Sequence, residues 1–475
     1  MNLSLYFHIP FCTHRCAYCD FNTYAGQERL IPAYVEALCR EVEFVGSRLP
    51  SLPGGGARGE GSRGNPRPWD KTVHTIFFGG GTPSLLTPKQ FEQILQTVRN
   101  HFDLYPSTSS GTSGSSGSSE TSGSFGTSGP SETSKPSEPY SIELSLEANP
   151  GTVTLDSLRG LRRAGFNRIS FGVQSFNPGE LRQLERIHDP FDVLNAVGWA
   201  RQAGFDNLNL DLIYGLPEQP MTYWQTNVKH AVELNPEHLS LYALTIEHGT
   251  PYGRWAAHGL LPLPDPDLAA DMYEWASEYL EGQGYEQYEI SNWARPGFQC
   301  RHNLQYWRNL PYLGFGAGAH GCANGMRISD VVRIKTYIER LSPKPLSLNP
   351  SPSHSPNPVS PSPLSRAPLI SPSSFPLSPA TVTQTRLTSY VEMQETMMLG
   401  LRLTQEGISE TAFLQRFGQD LMAVFGKEID DLLGLGLLEW DRMETSEVSK
   451  TSEVLRLTPR GRLLGNQVFL RFVGD

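Results

Sequence analysis

The sequence predicts an α/β fold in which parallel strands alternate with helices in an open or closed βα barrel, followed by a small domain of different pattern. Two observations carry this. Period-two apolar alternation recurs at 3–8 (Leu3, Leu5, Phe7), 73–78, 141–147 (Ile142, Leu144, Leu146), 168–174 (Ile169, Phe171, Val173), 207–213 (Leu208, Leu210, Leu212) and 238–244 (Leu239, Leu241, Ala243). Apolar residues at helical spacing fill the intervals. They are Val35, Leu38, Val42 and Val45 in 33–48, and Phe91, Ile94, Leu95, Val98 and Phe102 in 89–102. Residues 154–164, 191–203 and 222–234 continue the series, and a helix at 266–282 precedes a seventh strand-like stretch at 285–290. Such a βα series implies a parallel sheet covered by helices, with its chemistry at the C-terminal ends of the strands.

Three segments interrupt the pattern. Residues 50–68 are rich in Gly, Pro and Arg, 106–139 in Ser, Thr and Gly, and 343–380 in Pro and Ser. Each lacks the apolar surface that offsets ordering entropy, so each is expected to be a disordered insertion. They account for the low charged fraction, 19% against ~25% in an ordinary globular protein. The expected organisation is a barrel with an appended extension over 1–340, a linker over 341–384 and a C-terminal domain over 385–475. The last shows a helix near 389–401, then short helices and the stretches LLEWD and VLRLTPRGRLLG, a mainly helical, winged-helix-like pattern.

A net charge of -10 argues against nucleic-acid binding through broad electrostatics. No run of 18 apolar residues predicts a membrane span. No basic stretch precedes an apolar one at the N-terminus, so no signal peptide and a cytoplasmic setting are expected. Six cysteines are too few for a disulfide scaffold, and three of them lie within Cys12-Thr-His-Arg-Cys16-Ala-Tyr-Cys19. CxxxCxxC directly after the first strand suits a [4Fe–4S] cluster with one iron left without a thiolate. Structural zinc needs a fourth ligand, and the loop is too short for His14 to serve easily. Gly79-Gly80-Gly81-Thr82-Pro83 ends the second strand, where glycines allow close backbone approach. Glu147, Gln174 and Asp211 close the third, fourth and fifth strands on the face opposite the apolar set, as inward site residues or as satisfied core polar groups.

CxxxCxxC, GGGTP, SLEANP, FGVQSF and DLIYGLP together resemble the radical S-adenosylmethionine proteins. YFHIPFCTHRCAYCDF is similar to their coproporphyrinogen oxidase-like branch, which includes haem chaperones. The resemblance covers most of 3–340 apart from the insertions and continues at MMLGLRLTQEGI. It implies a partial (βα)6 barrel in which Cys12, Cys16 and Cys19 ligate the cluster and S-adenosylmethionine chelates the open iron. Tyr6 and Tyr18 would flank both. Gly80, Gly81 and Thr82 would contact the methionine part, and Glu147 its amino group or the ribose. Gln174, Arg186 and Asp211 would hold ribose and carboxylate, with Arg186 as a charged fork, and Ala243 would face the adenine.

Phe21 stands where the oxidases resemble CxxxCxxCxC, and five residues precede Tyr6 where they carry an N-terminal extension. His302-Asn303-Leu304-Gln305-Tyr306-Trp307 is similar to the HNxxYW element of the haem chaperones. That resemblance implies haem at His302, through an imidazole axial ligand and flat aromatic area. The residues alone favour a packing turn with a satisfied histidine, the resemblance favours haem, and Cys300 is an alternative ligand. His320 and Cys322 lie in a Gly-rich loop expected to serve close backbone approach, and Cys39 reads as a small buried hydrophobe. The function implied is a haem chaperone. The alternatives are a radical enzyme acting on a porphyrin(ogen), such as oxygen-independent coproporphyrinogen III oxidase, and an inactive structural relative. By analogy the partners are haem, a haem-accepting protein of the membrane-associated respiratory kind, an unidentified reductant protein and a second copy in a homodimer.

Overall fold

The computed structural model describes residues 3–49, 72–104, 142–343, 377–444 and 451–473. Six parallel strands form the body: β1 (Leu3–Ile9), β2 (Thr72–Gly80), β3 (Glu143–Ala148), β4 (Arg168–Gln174), β5 (Leu208–Tyr214) and β6 (His238–Ala243). They lie side by side in chain order, β1 beside β2 through to β6, each joined to the next by a crossover with helix. Their ends do not pair, so the barrel is open. Beyond β6 the sheet continues with β7 (Glu286–Glu289) and β8 (Asn292–Ala294), both antiparallel to their neighbours. The seventh strand-like stretch is therefore the edge of a hairpin and not another barrel strand. Beyond β1 come β9 (Tyr312–Phe315), parallel to it, then β10 (His320–Ala323), β11 (Met326–Asp330) and β12 (Thr381–Arg386), all antiparallel.

Register explains the layering. Leu5 pairs with Ile76 and Ile76 with Leu144, Leu146 with Ile169, and Phe171 with Leu210, which pairs with Leu239. This apolar set faces helices Ile31–Arg48, Pro88–His101, Leu155–Ala164, Pro190–Gln202 and Met221–Glu233. The opposite set is polar through the whole depth of the barrel. Ser4 pairs with Thr75, Thr75 with Glu143, Ser145 with Arg168, and Glu147 with Ser170, which pairs with Asn209. Helix starts follow their sequence signals. Thr87 and Thr154 cap their helices in reciprocal boxes with Gln90 and Ser157, and Asp189 with Asp192.

The expected insertions 50–68 and 106–139 lie outside the described residues, as does 344–376. The end of the third belongs to the fold. Ala380 is fully buried, its carbonyl accepts from Val331 N–H, and Ser378 Oγ bonds buried Glu41. The linker expected to run to 384 thus ends by 377, because β12 completes the sheet edge. The C-terminal unit has its own core around Met397, Phe413, Phe425 and Ile429, with a hairpin of Leu438–Glu444 and Thr451–Leu457, as its winged-helix-like pattern predicts. It docks on the barrel through Arg402, whose guanidinium lies 3.2 Å from fully buried Glu289. Among the described residues no helix is long and apolar enough to cross a membrane.

Candidate functional site

A cavity of about 430 Å³ opens at the C-terminal ends of β2 to β6. That is within the ~300–1,000 Å³ typical of small-molecule sites. The loop after β1 roofs it. Phe11–Cys12 pairs in parallel with Tyr24–Ala25, closing the intervening residues into a compact turn that carries all three cysteines. Cys12, Cys16, Cys19, Tyr18, Gly80, Gly81, Thr82, Glu147, Gln174, Arg186, Asp211 and Ala243 all line this one space. They come from the C-terminal ends of all six parallel strands or from the loops that follow them.

The thiols are set up for a metal. Burial pushes the Cys12 and Cys19 thiols up, so both resist ionising until a cation offsets the desolvation. Thr82 Oγ1 donates to Cys12 Sγ at 3.6 Å and Arg186 Nη1 to Cys16 Sγ at 3.5 Å. Donors on sulfur are a means of tuning an iron–sulfur potential. Among the described residues no three His, Cys, Asp or Glu side chains converge on a single-ion site. A cubic cluster takes each thiolate at a different iron and does not need such a point.

The glycine loop proves to have a structural duty first. Gly81 N–H donates to Ile9 O at 2.9 Å and Thr82 N–H to Phe11 O at 2.8 Å, while Gly80 N–H donates to Glu147 Oε2 at 3.1 Å. A Cβ on Gly81 would lie 2.6 Å from Phe11 O, and Gly80 has φ 109°. These amides are therefore committed, and the loop offers a ligand only carbonyl oxygens and the Thr82 hydroxyl. That suits an ammonium donor and not a carboxylate.

Glu147 has one carboxylate oxygen on Gly80. Burial, then the nearby Asp211 charge, raise its pKa to about 7. Asp211 accepts from Ser170 Oγ at 3.0 Å and Asn209 Nδ2 at 2.7 Å, and burial raises it too. Gln174 follows a bulge in β4 and takes φ 69°, left-handed backbone that a non-glycine residue adopts at a cost. Its buried Oε1 and the Arg186 Nε lack any partner among the described residues. Buried polar atoms of this kind point to a missing ligand with one donor and one acceptor in reach.

Three expectations are corrected. Arg186 does not offer a free fork, because Nη1 is spent on Cys16 and Nη2 on Gly172 O at 2.7 Å. Its Nε is buried without a partner among the described residues and is the donor a ligand would satisfy. Tyr6 does not line the cavity. Its hydroxyl lies 3.0 Å from His8 Nδ1 and its ring stacks on Phe77 at 6.4 Å, behind the wall. His302, expected to offer its imidazole to haem, has both ring nitrogens partnered here. It is 1% exposed in helix Arg301–Trp307, which closes the bottom of the cavity. Its Nδ1 lies 2.8 Å from Thr75 Oγ1 and its Nε2 2.9 Å from Tyr306 OH, and its ring stacks on Phe77 at 5.2 Å. Burial lowers its pKa to about 3, so it is neutral. HNLQYW is here a packed plug that backs Phe77 of β2 and presents Asn303 to the cavity. Cys300 is fully buried against Glu143 with its thiol pushed up to about 12, which removes it as a ligand in this conformation. Cys39 packs at the core edge and the Gly-rich loop does serve close approach, since a Cβ on Gly314 would lie 2.0 Å from His320 O.

Sequence reasoning missed Arg168, Ser170, Asn209, Ser240 and Asn303 on the cavity wall. For the first four the signal was the polar half of each strand's alternation, which runs below the strand ends.

Residues 67–230 match the Radical SAM superfamily, a stretch that starts after the cysteine loop, and 387–464 match the HemN C-terminal domain. The chain is 32% identical to the heme chaperone HemW of Bacillus subtilis over 472 residues, 99% of both chains. It is 38% identical to the heme chaperone HemW of Escherichia coli over 319 residues, 67% of this chain and 70% of that one. The solved structure of coproporphyrinogen III oxidase (HemN) from Escherichia coli matches with a TM-score of 0.68 at 21% identity, over 99% of this chain and 90% of that one, and shows the shared fold. The chain belongs to the HemW heme chaperone family of radical SAM proteins.

Proposed function

We propose that this chain binds a [4Fe–4S] cluster and S-adenosylmethionine in the strand-end cavity, binds haem, and delivers the haem to a recipient protein. The observation that carries it is the convergence of three thiols, Glu147 and the unpartnered Gln174 Oε1 and Arg186 Nε on one space. Cys12, Cys16 and Cys19 would ligate the cluster, which supplies an open iron for the cofactor's amino and carboxylate groups. The Gly80–Thr82 carbonyls and Glu147 accept from the amino group, Arg186 Nε donates to an acceptor, and Gln174 Oε1 accepts a hydroxyl. Asp211, with both oxygens already accepting, acts mainly by setting the field at Glu147. Phe21, at the position of the oxidases' fourth cysteine, supports cargo handling over porphyrinogen oxidation. The recipient is a haem-requiring protein, in this reading a membrane-associated respiratory one, approached from the cytoplasmic side where thiols stay reduced.

Glu147 gives the reading a pH signature. Its pKa is raised from 4.5 to about 7 in the folded chain. The folded state therefore holds an extra proton across that window, and this group's contribution to stability falls as pH rises from 4.5 to about 7. The ionised form is the better acceptor for an ammonium, so cofactor affinity rises from pH 6 to pH 8. Equilibrium dialysis of S-adenosylmethionine on the cluster-loaded chain should show this rise, and Glu147→Gln should flatten it. A pH-independent affinity in wild type would remove Glu147 from the amino-group site. An assay of coproporphyrinogen decarboxylation under the same reducing conditions should give no product. Product formation would favour the oxidase.

A further inference from the structure

The two partners of the His302 ring divide its nitrogens between two duties. We propose that Thr75 is a positioning residue for haem ligation: its hydroxyl oxygen accepts from Nδ1 of His302 and so leaves Nε2 as the nitrogen offered to the iron. The proposal rests on the haem-binding reading above, with His302 as the ligand that its motif implies. Thr75 lies 227 residues away in the chain, outside that motif. Hydrogen-bond accounting assigns the tautomer. Thr75 Oγ1 lies 2.8 Å from Nδ1 and 2.6 Å from Ser4 Oγ, while Tyr306 OH lies 2.9 Å from Nε2. The phenol has no other hydrogen-bond partner among the described residues. Its O–H therefore donates to Nε2, which carries the free lone pair. Nδ1 holds the proton and donates to Thr75 Oγ1, whose own O–H passes to Ser4 Oγ. In the opposite tautomer the phenol hydrogen would have no acceptor here.

The two partners also differ in freedom. Thr75 and Ser4 are fully buried and face each other on the paired strands β2 and β1. Tyr306 is half-buried, one helical turn after His302 on the same face, with its ring edge-on to Tyr312 at 4.7 Å. The phenol is thus the partner that can swing away, and the threonine the one that stays. Haem binding breaks one hydrogen bond, Tyr306 O–H to Nε2, and forms one coordinate bond, Nε2 to iron, with no electron transferred. Phe77, stacked on the imidazole at 5.2 Å, keeps its plane during the exchange. The imidazole is already neutral, as a metal ligand must be. A metal-bound histidine that donates its other N–H to a fixed acceptor is oriented, locked in one tautomer and made a stronger ligand. Linked hydroxyls polarise one another, so Ser4 improves Thr75 as that acceptor.

The test is a ferric haem titration of the full-length chain after anaerobic cluster reconstitution, followed by the midpoint potential of the bound haem, in wild type, Thr75→Val, Thr75→Ser, Ser4→Ala and His302→Ala. Thr75→Val keeps the shape and removes the acceptor. It should weaken haem binding by ~10-fold or more and move the potential to a more positive value, since a poorer donor holds ferric iron less well. Thr75→Ser keeps the oxygen and should restore both. Ser4→Ala should move the potential the same way by less. It decides the matter where Thr75→Val fails to fold, and a wild-type potential there would overturn the proposal. Nitrogen NMR of labelled histidine in the apo chain, with His302→Ala to identify the signal, should show Nδ1 protonated and Nε2 bare. A protonated Nε2, wild-type affinity and potential in Thr75→Val, or Thr75→Ser as impaired as Thr75→Val would overturn the role of Thr75 alone. A wild-type haem complex in His302→Ala would remove His302 as the ligand and this proposal with it. Absence of a saturable haem complex in wild type would overturn the haem reading itself.

Discussion

Cys16→Ser is expected to abolish assembly of the [4Fe–4S] cluster while leaving the fold intact. Cys16 is half-buried, with Arg186 Nη1 3.5 Å from its sulfur, and makes no core contact whose loss would unfold the barrel. A serine oxygen fills the same space. It is a poor substitute for thiolate at iron, so the loss falls on the metal and not on packing. Thermal melting of the apo chains should agree within ~0.5 kcal/mol, the range of substitutions away from core features. After reconstitution, iron and sulfide content should drop to background and cofactor binding should vanish with them. Wild-type iron content in Cys16→Ser would show that these three cysteines are not the cluster ligands.

Glu143→Ala should be the most destabilising single change near the site. Glu143 sits at the start of β3, is 5% exposed, and accepts from Arg301 N–H at 2.9 Å and His302 N–H at 3.0 Å. It therefore caps the plug helix from another element, where two amides have no intrahelical partner. It is also an opposite charge close to buried Arg168, which is 2% exposed and has an unpartnered Nε. Removing one member of a buried charge pair costs about 3–5 kcal/mol, because the other stays desolvated. Glu143→Gln keeps an acceptor for the amides and should cost less. Urea denaturation followed by tryptophan fluorescence checks both, and equal midpoints for wild type and Glu143→Ala would show that the plug is held otherwise. Glu143→Ala should also loosen Phe77 and Asn303, so cofactor affinity falls with stability.

Much of the barrel was legible because its physics is local. Six strands alternate at period two, the helices between them carry apolar stripes, and the cluster loop is a contiguous string. Glu147, Gln174 and Asp211 could be placed because strand ends in such a fold share one rim. What stayed hidden depends on contacts across long stretches of chain. Nothing near His302 announces that Thr75 closes its Nδ1, 227 residues away, or that Phe77 covers its face. The Arg186 fork looks free in sequence and is consumed by Cys16 and Gly172. Tyr6 follows the strand's inward face, yet its hydroxyl turns to His8, two residues on. The glycines of GGGTP read as a ligand cradle, but their amides are drawn to Ile9 and Phe11 because two chain segments meet there. Residues 377–380 share the composition of the segment before them and fold only because Glu41 and Val331 await them.

The measurement that bears most directly on haem delivery is a transfer assay. The cluster-loaded chain is charged with one equivalent of haem, separated from free haem, and mixed with an apo haem protein whose bound spectrum differs. Delivery predicts a saturable Soret complex before mixing and movement of the haem to the acceptor afterwards, faster than haem leaves the chain alone. A chain that takes up cluster and S-adenosylmethionine but forms no saturable haem complex would contradict it.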